Sequence, residues 1–154
     1  MEEKIPRRIS YHAQLDYKYS AGKEGTYFFE KLKDNKKFMA THCPKCGKNY
    51  IPPRPVCGDC FEQMDEWVEV GPRGTLEAWT VVYMPFLDPQ TGKKREVPYG
   101  YGFIRLDGTE NRLQHYLEES DQSKLRCGLR VEPVFKEKRV GTLADIEFFR
   151  IVQE

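Results

Sequence analysis

CPKCGKNYIPPRPVCGDC, residues 43–60, holds four of the chain's five cysteines in two Cys-x-x-Cys pairs. Two residues separate Cys43 from Cys46 and Cys57 from Cys60, and ten lie between the pairs. A Cys-x-x-Cys turn is tight enough to aim both sulfurs at one point. Two facing turns then set four thiolates at the corners of a tetrahedron, the arrangement Zn²⁺ takes. Pro44 fixes one φ angle, and Gly47 and Gly58 allow φ values that other residues resist. With cysteine at all four corners, Cys43, Cys46, Cys57 and Cys60, the metal keeps no open position. A closed site is structural, whereas catalytic zinc keeps a place for water or substrate. Iron could fill the same tetrahedron and make a one-electron carrier.

Disulfides are the competing use of four thiols, and they belong to oxidising compartments. The N-terminus, MEEKIPRRISYHAQL, lacks an apolar signal core. No apolar run approaches the ~18 residues of a membrane span. A reducing cytoplasm is the expected location. A thioredoxin-like redox pair needs one such motif in a βαβ setting, not two in tandem. Between the pairs, NYIPPRPV is too proline-rich for helix and reads as an extended arm covered by Tyr50, Ile51 and Val56.

The chain has 154 residues, room for one domain and a small appendage. Its 25 basic and 24 acidic residues leave a net charge of +1, which argues against a protein living on nucleic-acid phosphates. The fifth cysteine, Cys127, reads as a small buried apolar residue. His42 is expected to face solvent. His12 and His115 have no sequence-adjacent partners and receive no catalytic role.

Outward from the cysteines, residues 1–22 read as an arm and 25–36, GTYFFEKLKDNK, as a short helix whose stripe is Phe28, Leu32 and Phe29. C-terminal to the cysteines the period changes to two. GTLEAWTVVY (74–83) alternates, with Leu76, Ala78, Thr80 and Val82 on one face and Trp79 and Val81 on the other. Further strands are expected at 99–108, 111–118, 129–137 and 142–151. The second and third of the five strands are joined over an Asp-Gly turn. Three meandering strands, a crossover and a hairpin give the order of a five-stranded OB-fold barrel, with an SH3-like barrel as the alternative. Gly100 and Gly102 suit a strand that must bend. The fold is therefore expected to be mainly β: arm and helix over 1–36, zinc ribbon over 37–68, OB-fold barrel over 69–154. The loop at 84–98, MPFLDPQTGKKREVP, is long enough to face a partner or ligand.

The strings CPKCGKNYIPPRPVCGDC, EWVEVGPRGTLEAWTVVY, VPYGYGFIRLDGTENRL and LRCGLRVEPVF together resemble an acyl-CoA-associated family with a rubredoxin-like zinc ribbon and an OB-fold, over about residues 26–150. The resemblance implies a small subunit without a nucleophile of its own, assembled with a thiolase-fold enzyme and helping to form the acyl-CoA path. The chain is also similar to the small subunits of thiolases that cleave benzoylsuccinyl-CoA with free CoA, in aromatic-compound breakdown. CoA carries phosphates that cations attract. Lys36, Lys37, Arg54, Lys93, Lys94 and Arg95 are the candidate CoA contacts. Tyr27, Phe28 and Phe29 are the candidate partner face. A rival function, single-stranded nucleic-acid binding, would use Trp79, Tyr83, Tyr101 and Phe103 as stacking platforms.

Overall fold

Residues 20–87 and 92–152 are described by a computed structural model of the chain. Residues 1–19 of the expected arm, with His12, lie outside them. Helix α1 spans Gly22–Asn35. Its i, i+4 pair Phe28 and Leu32 is buried, and Phe29 packs edge-on to Phe28 with ring centroids 5.2 Å apart. Lys36 ends the helix in the left-handed region at φ 58°, its amide donating to Leu32 O.

Three strands follow that sequence periodicity does not announce: β1 (Phe38–His42), β2 (Asn49–Tyr50) and β3 (Glu66–Val70). They form an antiparallel sheet in the order β2-β1-β3. Then come β4 (Gly74–Val82), β5 (Tyr99–Leu106), β6 (Leu113–Leu117), β7 (Arg130–Phe135), a 3₁₀ turn (Leu143–Asp145) and β8 (Ile146–Ile151). These five strands close a barrel in the order β4-β5-β6-β8-β7. All pairs are antiparallel except β6 with β8, which is parallel. This is the OB-fold.

Closure depends on close backbone approach at β5. A Cβ on Gly100 would sit 2.1 Å from Glu119 O, and one on Gly102 would sit 2.5 Å from Leu76 Cδ1. Within β4 the expected alternation breaks. The register shifts between Leu76 and Ala78, making Glu77 an extra residue. Leu76 therefore faces inward with Trp79 and Val81, while Ala78 and Thr80 are exposed. The expected last strand is shortened: 143–145 form the 3₁₀ turn, held by Asp145, whose carboxylate accepts the Val140 and Gly141 amides at 2.8 and 2.7 Å.

One apolar core runs through the helix, the ribbon and the barrel. Phe28 and Leu32 of α1, Phe38, Ala40, Ile51 and Val70 of the ribbon, and Leu76, Ile104, Val131 and Phe149 of the barrel form one cluster. The ribbon is thus part of the barrel's packing. Polar contacts fix the same junction. The Asn111 side chain accepts from Ile51 N at 2.9 Å and donates to Ile51 O. Asn49 donates to Gly108 O at 2.8 Å.

Candidate metal centre and barrel face

The ribbon's second, smaller cluster is Cys43, Tyr50, Cys57 and Met64, with Cys60 packed on it. The four sulfurs all lie within 4.8 Å of one another. Cys43 and Cys60 are 3.5 Å apart and Cys46 and Cys57 3.6 Å. Zn–S bonds of about 2.3 Å require a tetrahedron edge of about 3.8 Å. The donor set therefore fits a single tetrahedral ion, and such an ion is held by sulfur alone.

Each pair closes a knuckle on its own backbone. Cys43 N donates to Lys48 O and Gly47 N to Cys43 O, both at 2.9 Å. Cys57 N donates to Glu62 O at 2.9 Å and Phe61 N to Cys57 O at 3.2 Å. Gly47 has the expected positive φ of 74°, but Gly58 does not. In the second knuckle Phe61 takes the left-handed position at φ 59°. The turn demands positive φ after the second cysteine of each pair, so Phe61, not Gly58, is the counterpart of Gly47. Gly58 serves another need: a Cβ there would lie 3.1 Å from the Arg54 guanidinium.

The thiols are not equivalent. Amides of Cys60 and Asp59 lower the Cys57 thiol to about 6, helped by Tyr50. At Cys60 the Glu62 amide pulls downward, but burial and the neighbouring thiols outweigh it and push the thiol up to about 12. Cys46 is raised likewise, against the pull of the Lys48 amide. Cys57 ionises most readily, and Cys46 and Cys60 resist a second negative charge beside it. A divalent cation is what lets all four ionise together. An outer layer supports the cage. Tyr50 donates to Asp59 Oδ2 at 2.9 Å and lies 3.7 Å from Cys57 Sγ. Asp59 pairs with Lys48, which holds its carboxyl low. Burial pushes the Tyr50 phenol up, keeping it a donor. Arg54 stacks on the Tyr50 ring at 4.4 Å. Its backbone is pinned by buried Thr41, which donates to Arg54 O at 3.0 Å and accepts from Arg54 N at 3.1 Å.

The barrel's second and third strands, β5 and β6, turn an aromatic row outward. Tyr101 is paired with Tyr116, rings 5.3 Å apart, and Tyr99 lies 5.6 Å from Tyr116. Arg95 of the long loop lies over Tyr116 at 3.6 Å. The loop is folded back on itself by a Leu87–Lys94 bridge and by Arg95 N donating to Phe86 O at 3.2 Å. Tyr83, Met84, Phe86 and Leu87 on it are exposed.

Residues 31–65 match the model of the rubredoxin-like zinc ribbon domain of ChsH2, and residues 67–136 that of its C-terminal OB-fold domain. The chain belongs to the ChsH2-type family. Among solved structures, a DUF35-family protein of unknown function from Sulfolobus solfataricus is 25% identical, with a TM-score of 0.60 over 84% of each chain. The Ltp2-ChsH2(DUF35) aldolase is 21% identical, with a TM-score of 0.63 over 87% of this chain and 98% of that one. Both share the ChsH2-type fold.

The remaining candidate residues scatter. Lys36 caps α1, and Lys37 pairs with Glu69 at 2.6 Å. Arg54 sits beside the cage, and Lys93, Lys94 and Arg95 ride the barrel loop. Tyr27 packs on Trp67 of β3 at 4.5 Å and Phe29 is half-buried. Phe28 is wholly buried and presents no surface. Cys127 is exposed, not buried: it lies in the turn before β7, where Leu125 fills the interior. His42 is half-buried, donating from Nδ1 to Asn49 Oδ1 at 2.7 Å. Val56, expected as apolar cover, is exposed. No helix among the described residues is long and apolar enough to cross a membrane.

Proposed function

We propose that this chain is the non-catalytic, zinc-stapled subunit of a thiolase-like acyl-CoA enzyme complex, supporting its assembly and the acyl-CoA path in the cytoplasm. The observation that carries the reading is the apolar loop Tyr83–Leu87, left in water beside the aromatic row of β5 and β6. Clustered exposed apolar side chains mark interaction sites. The ChsH2-type relative named in the Ltp2-ChsH2 aldolase works beside a second protein, and the same division of labour suits a chain whose sulfur cage is closed to substrate. The loop's Lys93, Lys94 and Arg95 suit the phosphates of CoA, with Lys36, Lys37 and Arg54 as further contacts. The substrate class is an aromatic acyl-CoA of the benzoylsuccinyl-CoA type, on the similarity of the quoted strings.

The test is affinity purification of the tagged chain from its native cell extract, with mass spectrometry and a 3-oxoacyl-CoA cleavage assay. A thiolase-fold protein copurifies, the complex is active and the isolated chain is not. A chain that cleaves the thioester alone, or brings down no thiolase-fold protein, ends this reading.

The outward tyrosines with Arg95 among them favour a second reading, single-stranded nucleic-acid binding, since stacking platforms beside cations suffice for it. Of its four expected platforms, Trp79 packs against the core instead. Gel-shift titrations at two salt concentrations expose steep salt-dependent binding if it occurs. An iron-bearing electron carrier, the other alternative, is decided by metal analysis.

A further inference from the structure

The two metal knuckles make one turn with two very different residues. Gly47 adopts φ 74° in the first and Phe61 φ 59° in the second, each donating its amide to the carbonyl of the knuckle's first cysteine. Left-handed backbone is easy for glycine and an outlier for a bulky side chain. Among the described residues no core packing of the ring offsets that strain at Phe61. Its residue is 81% exposed, the largest exposure of any large apolar residue among those described, and it joins neither core cluster. A ring with few internal degrees of freedom, fixed on a metal-braced turn, loses little entropy when it docks. Binding anchors have this anatomy: one aromatic knob within a polar rim.

We infer that Phe61 is the anchor by which the ribbon docks into an apolar pocket of the catalytic subunit; this rests on the complex proposed above. The surrounding charge selects the pocket. DCFEQMDEW, residues 59–67, carries Asp59, Glu62, Asp65 and Glu66 and no cation. Lys48 and Lys45 of the first knuckle pair with Asp59 and Glu62, while Asp65 and Glu66 are exposed. An anionic lipid surface or a nucleic-acid backbone is repelled by that rim. A protein pocket rimmed by basic or donor groups is complementary to it. Val56, exposed and bridged to Gln63, widens the apolar contact.

The test uses the full zinc-loaded chain with Phe61→Gly, Phe61→Ala and, as a control on another exposed apolar residue, Val140→Ser. The partner is the thiolase-fold subunit that copurifies with the wild type, identified by mass spectrometry, purified and titrated. Phe61→Gly relieves the backbone and removes no internal contact, so its thermal midpoint does not fall, and Phe61→Ala lies below it. Both Phe61 variants bind the subunit about tenfold or more weakly, and Val140→Ser binds like the wild type. Equal binding by Phe61→Gly and wild type overturns the anchor while leaving the complex standing. A lower midpoint for Phe61→Gly assigns Phe61 an internal role and also overturns it. If the wild type captures no thiolase-fold subunit, the complex itself fails.

Discussion

Asn111 does at one position what a strand does along its length. Its amide meets both backbone groups of Ile51, 60 positions away, and ties the cysteine ribbon to the barrel's β5–β6 turn. Ile51 is wholly buried, so no water replaces a lost partner there. Asn111→Ala strands a donor and an acceptor, and each unsatisfied buried group costs about 1–3 kcal/mol. The two together cost about 2–6 kcal/mol, so the thermal midpoint is expected to fall by at least about 4 °C, on the ~2–4 °C that each kcal/mol shifts a chain of this size. Asn111→Asp keeps the acceptor but turns a carboxylate oxygen on the Ile51 carbonyl, and falls at least as far. A melting curve for Asn111→Ala that overlays the wild type would show the junction to be held by apolar packing alone. The sequence shows Asn111 only as the first residue of an expected strand, because nothing local marks a side chain for so distant a backbone.

Elements with their own period were legible, and those that borrow order from elsewhere were not. The Phe28–Leu32 stripe marked α1, and five period-two runs marked the barrel, whose closing order follows from a meander and a returning hairpin. FMATH and EWVEV gave no strand signal. They are five residues each, and they pair across the cysteine segment that brings them together. The bulge at Glu77 was hidden too, since an inserted residue shifts the inward face without changing composition. The same dependence predicts what metal removal does. Around the sulfurs the knuckles bury only Tyr50 and Met64 besides cysteine, too little to hold four thiolates' worth of loop without an ion. One zinc per chain is expected. A strong chelator should expose amides of 43–48 and 57–63 to hydrogen exchange, while β5 and β6 stay protected. Uniform loss of protection across ribbon and barrel would mean the cage holds the entire fold.

Because helix, ribbon and barrel share one core, a charge forced into the barrel is felt as global stability. His115 is the group that can deliver it. It points inward from β6, its ring 5.7 Å from those of Tyr116 and Phe149. Nε2–H donates to Leu143 O at 3.2 Å, and buried Nδ1 has no partner among the described residues. Burial holds its pKa below the ordinary 6.5, and the nearby cations Arg95 and Lys136 press the same way against the Leu143 carbonyl. The folded state thus binds fewer protons than the unfolded chain once pH drops below about 6.5, and stability falls from there through the lower folded-state pKa, with a limiting slope of about 1.4 kcal/mol per pH unit. The carboxylates held low by ion pairs, Glu77, Asp107 and Glu132, lose their contribution only further down, as pH falls below about 4. Thermal midpoints of wild type and His115→Gln measured from pH 7.5 to 5 separate the two windows. Glutamine can still donate to Leu143 O but does not titrate, and both proteins carry the same sulfur cage, so acid release of metal cancels in the difference. The wild type should lose stability relative to His115→Gln steadily below about pH 6.5. Two parallel curves over that range would mean that His115 gains its proton without cost, and that the barrel interior admits water at Nδ1.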